Sequence, residues 1–325
     1  MALLVVAVLM VGIVAGAGTN LLFGKPKVEK ASSNSSQETP AENEGKSAGA
    51  GRKGDSATPR FSMTQAMAHV SALSERIGAR PAGSIKESSA AEYIGARLGE
   101  YGYSVEEQQF TMADGYGSRN IVGTRRGTRD GYTMIIAAHY DGPRESAGAI
   151  DNASGVGVVL ELARAFSVRR IKSSIQFVFF GGNHPGAADP DSRLVGARRF
   201  VELLGSLEKR EIVGMIAVDC VGQGETLAVR TQGTGLQRLK DKMETFARRK
   251  NIAVTYIKSN GESDNIPFED SNVPAVWVEW CDSSGLLSTD NRYASVVPQK
   301  VESAGVLIEG FTLGLSLEDL DDLKY

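Results

Sequence analysis

Histidine and cysteine are both scarce in this chain. Its 325 residues include three histidines, His69, His139 and His184, and two cysteines, Cys220 and Cys281. No Cys-x-x-Cys pair occurs, which excludes a disulfide scaffold and a cysteine-based zinc module. A bridge between the two cysteines does not follow from spacing alone. An excess of one charge is missing too. With 36 basic and 39 acidic residues the formal net charge is −3, a balance that gives no footprint for nucleic acid, which needs a clustered basic surface. Any site that uses histidine must be built from very few candidates.

Residues Ala2 to Phe23 carry no charge and are mostly Leu, Val and Ala. A span of roughly 20 apolar residues can cross a bilayer as a helix. A cleaved signal peptide is the alternative, with Ala15-Gly16-Ala17 as a small-residue cleavage site. The basic flank a signal peptide carries is absent, and Lys25, Lys27 and Lys30 follow the segment, which argues against simple export. Residues 1–23 are therefore read as a membrane anchor or signal segment, the anchor being favoured, with the domain outside the cytoplasm. Residues 24–59 are rich in Ser, Gly, Ala, Glu, Asn and Lys and cannot repay their ordering entropy, so they read as a flexible linker. Within them Gly49-Ala-Gly51-Arg-Lys-Gly54 matches a dinucleotide fingerprint in form only. No strand precedes it and no helix follows.

Residues 60–325 are long enough for one large domain with a sizeable core. Helical spacing marks Met63 to Leu73, Ala90 to Leu98, Val156 to Phe166, Leu194 to Leu204, Leu236 to Lys250 and Val301 to Leu313. Ser104 to Phe110 alternates as a strand. Short apolar runs at Met134 to Ala138, Ile175 to Phe180, Ile212 to Val218 and Val273 to Trp280 read as buried strands. This alternation predicts an α/β fold, a mostly parallel central sheet with helices on both faces.

In such sheets functional groups gather where the strands end. Those ends supply His139 and Asp141, then Asp151, then Asn183 and His184, then Asp219, and last Ser263-Asp264-Asn265. His139, Asp151 and Asp219 make a zinc set, because imidazole nitrogen and carboxylate oxygen both suit a borderline cation. Asp141, two residues from His139, is positioned to orient the imidazole. A plainer alternative stands beside each of these. Asp151-Asn-Ala-Ser154 caps a helix, and His139 is a satisfied strand-end histidine. Their recurrence at successive strand ends favours the functional ancestry. Asp189, Asp191, Glu262 and Glu269 lie in loops near the motifs, and the run Ala187 to Asp191 reads as a solvated turn. Trp277 and Trp280 read as packing residues, His69 as a surface or packing residue, and Cys220 as a core thiol facing away from Asp219.

From about Phe61 to Leu315 the chain resembles the zinc aminopeptidases of metallopeptidase family 28, the aminopeptidase Y type. The resemblance is carried by Ile77-Gly-Ala-Arg-Pro-Ala-Gly-Ser84, Asn120-Ile-Val-Gly-Thr124, Ala138-His-Tyr-Asp141 and Asp151-Asn-Ala-Ser-Gly155. Phe177-Val-Phe-Phe-Gly181, Val218-Asp-Cys-Val-Gly222 and Ser263-Asp-Asn-Ile-Pro-Phe268 continue it in order. It implies two zinc ions bridged by Asp151, with His139 and Asp219 completing the first site. The family pattern then asks for two adjacent Glu residues, one a general base and one a ligand, where this chain has Asn183 and His184. It asks for a last His ligand where this chain has Asn265.

An amide has no useful basicity, so Asn183 is not that base. His184 can ligate in place of Glu or take a proton, and Asn265 is a poor zinc ligand. One zinc is expected rather than two. Two functions follow: a zinc hydrolase cleaving peptides from their amino end, or a family member without activity that binds a protein partner. The second has precedent in the resemblance, since the transferrin-receptor ectodomain and nicastrin carry degenerate sites. Glutaminyl cyclase chemistry ranks last, because the acidic ligand and final His that the resemblance asks for are missing. The expected partners are a peptide or protein and, through residues 1–23, a membrane.

Overall fold

The computed structural model describes residues 60–184, 193–258, 263–282 and 290–324. The anchor and linker assigned to residues 1–59 lie outside them, as do Asp189, Asp191 and Glu262. No described helix is long and apolar enough to cross a membrane.

In chain order the helices are α1 (Met63–Ser71), α2 (Ile85–Glu100), α3 (Gly155–Phe166), α4 (Val195–Leu203), α5 (Ser206–Glu211), α6 (Arg238–Arg249), α7 (Ile266–Asp270), α8 (Pro298–Gly314) and α9 (Leu317–Lys324). The strands are β1 (Ser104–Thr111), β2 (Gly117–Arg125), β3 (Thr133–His139), β4 (Ser174–Phe180), β5 (Ile212–Val218), β6 (Thr226–Thr231), β7 (Thr255–Lys258) and β8 (Ala275–Cys281). They form one 8-stranded sheet in the order β1-β2-β4-β3-β5-β8-β6-β7. Its centre is parallel, β3 pairing with β4 and β5, and β5 with β8. The flanks bring antiparallel pairs: β1 on β2, β2 on β4, and β6 on β8.

The central strands read as continuous apolar runs because both their faces are covered. On β3, Met134, Ile136 and Ala138 enter the core shared with α1, α2, α3 and α8. Ile135 and Ala137 enter the smaller core that Phe200 of α4 and Phe268 of α7 fill. The helix expected from Ala90 begins earlier, at Ile85. Ser84 Oγ accepts from the Glu87 backbone N–H at 3.1 Å, while the Glu87 carboxylate accepts from Gly83 N–H at 2.7 Å. That Ser-x-x-Glu spacing is a helix-start signal.

The parallel register aligns the ends that matter. His139 sits opposite Phe180, so β3 and β4 finish level, and β5 finishes beside them at Val218. The chain after each strand therefore emerges at the same edge of the sheet. A short irregular turn, Ala149–Ser154, then leads into α3 over that edge. Gly155 makes this approach possible, since a Cβ there would lie 2.2 Å from the Val218 carbonyl.

Candidate metal centre

Three of the expected residues converge. His139 Nε2 lies 3.3 Å from Asp151 Oδ1 and 3.4 Å from Asp219 Oδ1. His184, which follows β4, joins them through its own Nε2, 3.1 Å from Asp151 Oδ1. The two imidazoles meet edge to face with centroids 5.1 Å apart. His139 is buried, whereas the His184 side chain is 36% exposed, so the centre opens to solvent on the His184 side.

Candidate ligand atoms fall into two overlapping sets, each within 4.8 Å: His139, Asp151 and His184, and Asp151, Asp219 and Cys220. Asp151 belongs to both. Its backbone is set by Asn291, whose Oδ1 accepts the N–H groups of Ile150 at 2.7 Å and Asp151 at 3.0 Å. The Asp151–Asn152 peptide bond is cis. The Asn152 amide ties the turn leading into α3 to the end of β5, donating to the Val218 carbonyl and accepting from Gly155 and Cys220 N–H.

The electrostatics follow from this crowding. Burial opposes protonation of His139, but the carboxylates of Asp219 and Asp151 outweigh it and hold the imidazole well above its ordinary pKa. Burial likewise disfavours charge on Asp151, yet hydrogen bonds from His139 and His184 hold its carboxyl far below the usual range. Burial raises Asp264 to about 7.

Asp141 behaves differently from the expectation. The His139 Nδ1 contact runs to the Asp141 carbonyl at 3.2 Å, and the carboxylate lies farther, at 3.8 Å. That carboxylate instead accepts the backbone N–H of Asn183 at 3.0 Å and of His184 at 2.7 Å. Asn183 places its amide on Asp264, Nδ2 to Oδ1 at 3.1 Å. Asn265 is tied to Glu269 at 2.7 Å, and the Glu269 carboxylate also accepts Gln232 N–H. Glu269 is thus engaged in α7 rather than free in a loop. Trp277 packs as expected and donates from its indole to the Asp219 carbonyl at 3.3 Å.

Cys220 is buried, but strand alternation does not place it. β5 has already ended at Val218, and Cys220 takes the left-handed φ of 57°. Its sulfur therefore joins Asp151 and Asp219 instead of facing away from them.

Two residues that shape the site were given no role from sequence. Arg80, fully buried, donates to the carbonyls of Tyr140 at 2.6 Å, Ala147 at 2.8 Å and Gly148 at 2.8 Å. It clamps the segments that carry His139 and Asp151. Glu87 accepts from Ser118 Oγ at 2.7 Å and from Gly182 N–H at 3.1 Å, next to Asn183. Burial and the Asp141 charge raise it to about 7. The Ser84-x-x-Glu87 spacing was a usable signal for Glu87. The signal for Arg80 was its place in the Ile77–Ser84 motif that carries the family resemblance.

The donors fit a zinc ion. Asp219 Oδ1 is buried with no hydrogen-bond partner among the described residues, an arrangement a cation relieves. Imidazole with carboxylates is a zinc donor set.

The model of peptidase family M28 matches residues 120–296, more than half of the chain. The chain belongs to peptidase family M28. Aminopeptidase YwaD of Bacillus subtilis is 27% identical over 171 residues, covering 51% of this chain and 36% of that protein. Leupeptin-inactivating enzyme 1 of Streptomyces exfoliatus is 25% identical over 224 residues, covering 66% and 49%. The chain thus spans half or less of the length of these curated relatives. The solved structure of BSAP, a zinc aminopeptidase from Bacillus subtilis, superimposes with a TM-score of 0.71 at 17% identity. That match covers 78% of this chain and 94% of BSAP, and it shows a shared fold. Membership of M28 makes this a metallopeptidase-type chain and implies zinc.

Proposed function

We propose that this M28 chain is a zinc hydrolase of the aminopeptidase type, acting on peptides from a mononuclear centre held by His139, Asp151 and Asp219. The observation that carries the reading is His139 Nε2 at 3.3 Å from Asp151 Oδ1 and 3.4 Å from Asp219 Oδ1, the latter a buried oxygen with no closer hydrogen-bond partner among the described residues. Asn265, tied to Glu269, offers little to a second ion. Bound zinc supplies Lewis acidity toward a scissile carbonyl and a water. The chain's own part is to hold the ligands, through Arg80 and Asn152, and to move a proton. Asn183 cannot take that proton. His184, partly exposed beside Asp151, has the chemistry to do so. Peptides are the substrate class that M28 membership and the names of the relatives support.

The test is zinc-loaded full-length protein against a panel of aminoacyl and dipeptide substrates. One zinc per chain and hydrolysis abolished in His139→Ala are the expected results. Zinc bound without turnover on any substrate would overturn the reading.

A second reading is favoured by the Asn183–Asp264 hydrogen bond, which fixes an amide where the family pattern asks for a base. Under it the chain binds a peptide or protein partner without cleaving it, and zinc-dependent turnover by the natural chain ends it. From the sequence alone we further propose a membrane tether in residues 1–23 with the domain outside the cytoplasm. Membrane fractionation and protease protection of intact cells check this.

A further inference from the structure

We infer that Cys220 is a metal ligand of this chain, its Sγ completing the Asp151–Asp219 side of the centre. The inference rests on the zinc-binding reading above and adds a donor to it.

Cys220 is held from two sides. Its N–H donates to Asn152 Oδ1 at 3.2 Å, and its carbonyl accepts from Trp280 N–H at 3.2 Å. Its φ of 57° lies in a region that residues with a Cβ seldom enter. The result is a sulfur whose neighbouring ligand atoms on Asp151 and Asp219 all lie within 4.8 Å of it and of one another. An independent observation points to a cation. Asp219 is 6% exposed, its Oδ2 accepts from Ser263 Oγ at 2.9 Å, and its Oδ1, 3.4 Å from His139 Nε2, has no closer hydrogen-bond partner among the described residues.

As a ligand Cys220 loses its proton to solvent when the metal enters. A mixed set of imidazole, carboxylate and thiolate suits zinc or cobalt and disfavours magnesium and calcium, which take oxygen ligands. It returns a donor to a centre that has an amide at Asn265.

The experiment strips the full-length chain and reloads it with cobalt(II). The expected spectrum has visible d–d bands together with a near-ultraviolet thiolate-to-cobalt charge-transfer band. Cys220→Ser should lose the charge-transfer band and keep the d–d bands, while Cys281→Ser should keep both. Visible bands without charge transfer in the natural chain would overturn the inference and leave the zinc reading standing. Uptake of neither cobalt nor zinc would overturn both. Where Cys220→Ser fails to fold, X-ray absorption of the zinc-loaded natural chain decides: a sulfur shell at about 2.3 Å supports the ligand, and nitrogen and oxygen alone remove it.

Discussion

His139 and His69 are almost equally buried, at 1% and 5% exposure, yet they are opposite in character. His139 ends β3 among carboxylates. His69 lies on α1 between two phenols, Nδ1 at 2.6 Å from Tyr93 Oη and Nε2 at 3.2 Å from Tyr101 Oη. Burial pulls both rings toward the neutral form. At His139 the charges of Asp219 and Asp151 reverse that pull. At His69 burial is joined by Arg97, Arg164 and Arg76, and the pKa falls to about 4. The sign of the surrounding charge, rather than burial, separates a candidate ligand from a packing residue.

The sharpest way to break this contrast is substitution. His139→Ala should weaken zinc binding by more than the ~100-fold that the outer partners of a ligand are worth, read by chelator competition. His69→Gln should leave zinc stoichiometry unchanged. Equal losses from the two would dissolve the distinction.

Arginine serves the two sites differently, which gives a second test. Arg80 acts through hydrogen bonds to the backbone around His139, so Arg80→Met should destabilise the fold by about 3 kcal/mol in urea, by leaving buried carbonyls without a donor. Arg76 acts on His69 only through its field, and Arg76→Gln should change stability by less than ~0.5 kcal/mol.

The pH dependence should run in opposite senses. The unfolded His69 ring takes its proton near 6.5 and the folded one only near about 4. The folded state therefore binds fewer protons, and the stability His69 contributes is present above pH 6.5 and lost as pH falls toward 4. Roughly 2–3 kcal/mol should disappear across that window, and His69→Gln should flatten the slope. In metal-free protein His139 acts the other way: its contribution is complete below 6.5 and lost as pH rises through its raised folded value. A smaller loss than these is expected for Tyr93→Phe, about 1 kcal/mol, by calorimetry, for one lost hydrogen bond to His69.

Much of this architecture is legible in the chain. The runs behind β3, β4 and β5 are continuous because both sheet faces are covered, and the groups after them converge because parallel strands finish level. β6 and β7 escape pattern reading: Thr226–Thr231 and Thr255–Lys258 are short and mix polar with apolar residues near the sheet edge. Within the centre, His139, Asp151 and Asp219 stand out by position. Arg80 and Asn152 stand inside the Ile77–Ser84 and Asp151–Gly155 motifs, but those motifs do not disclose their roles, since both side chains work on main-chain atoms. Cys220 misleads for a plainer reason. The alternation rule holds only inside a strand, and the backbone has left β5 by then.

The Asp141 carboxylate grips two main-chain N–H groups, and main-chain groups are indifferent to the side chains attached to them. The loop bearing Asn183 and His184 is consequently held by contacts that nearly any residue except proline would provide. Its geometry and its chemistry are separately inherited. Exchange of the side chains at these two positions leaves that backbone grip in place. A carboxylate at position 183 would keep the loop where it is, yet would set a second acid against the buried Asp264 that the Asn183 amide now bonds.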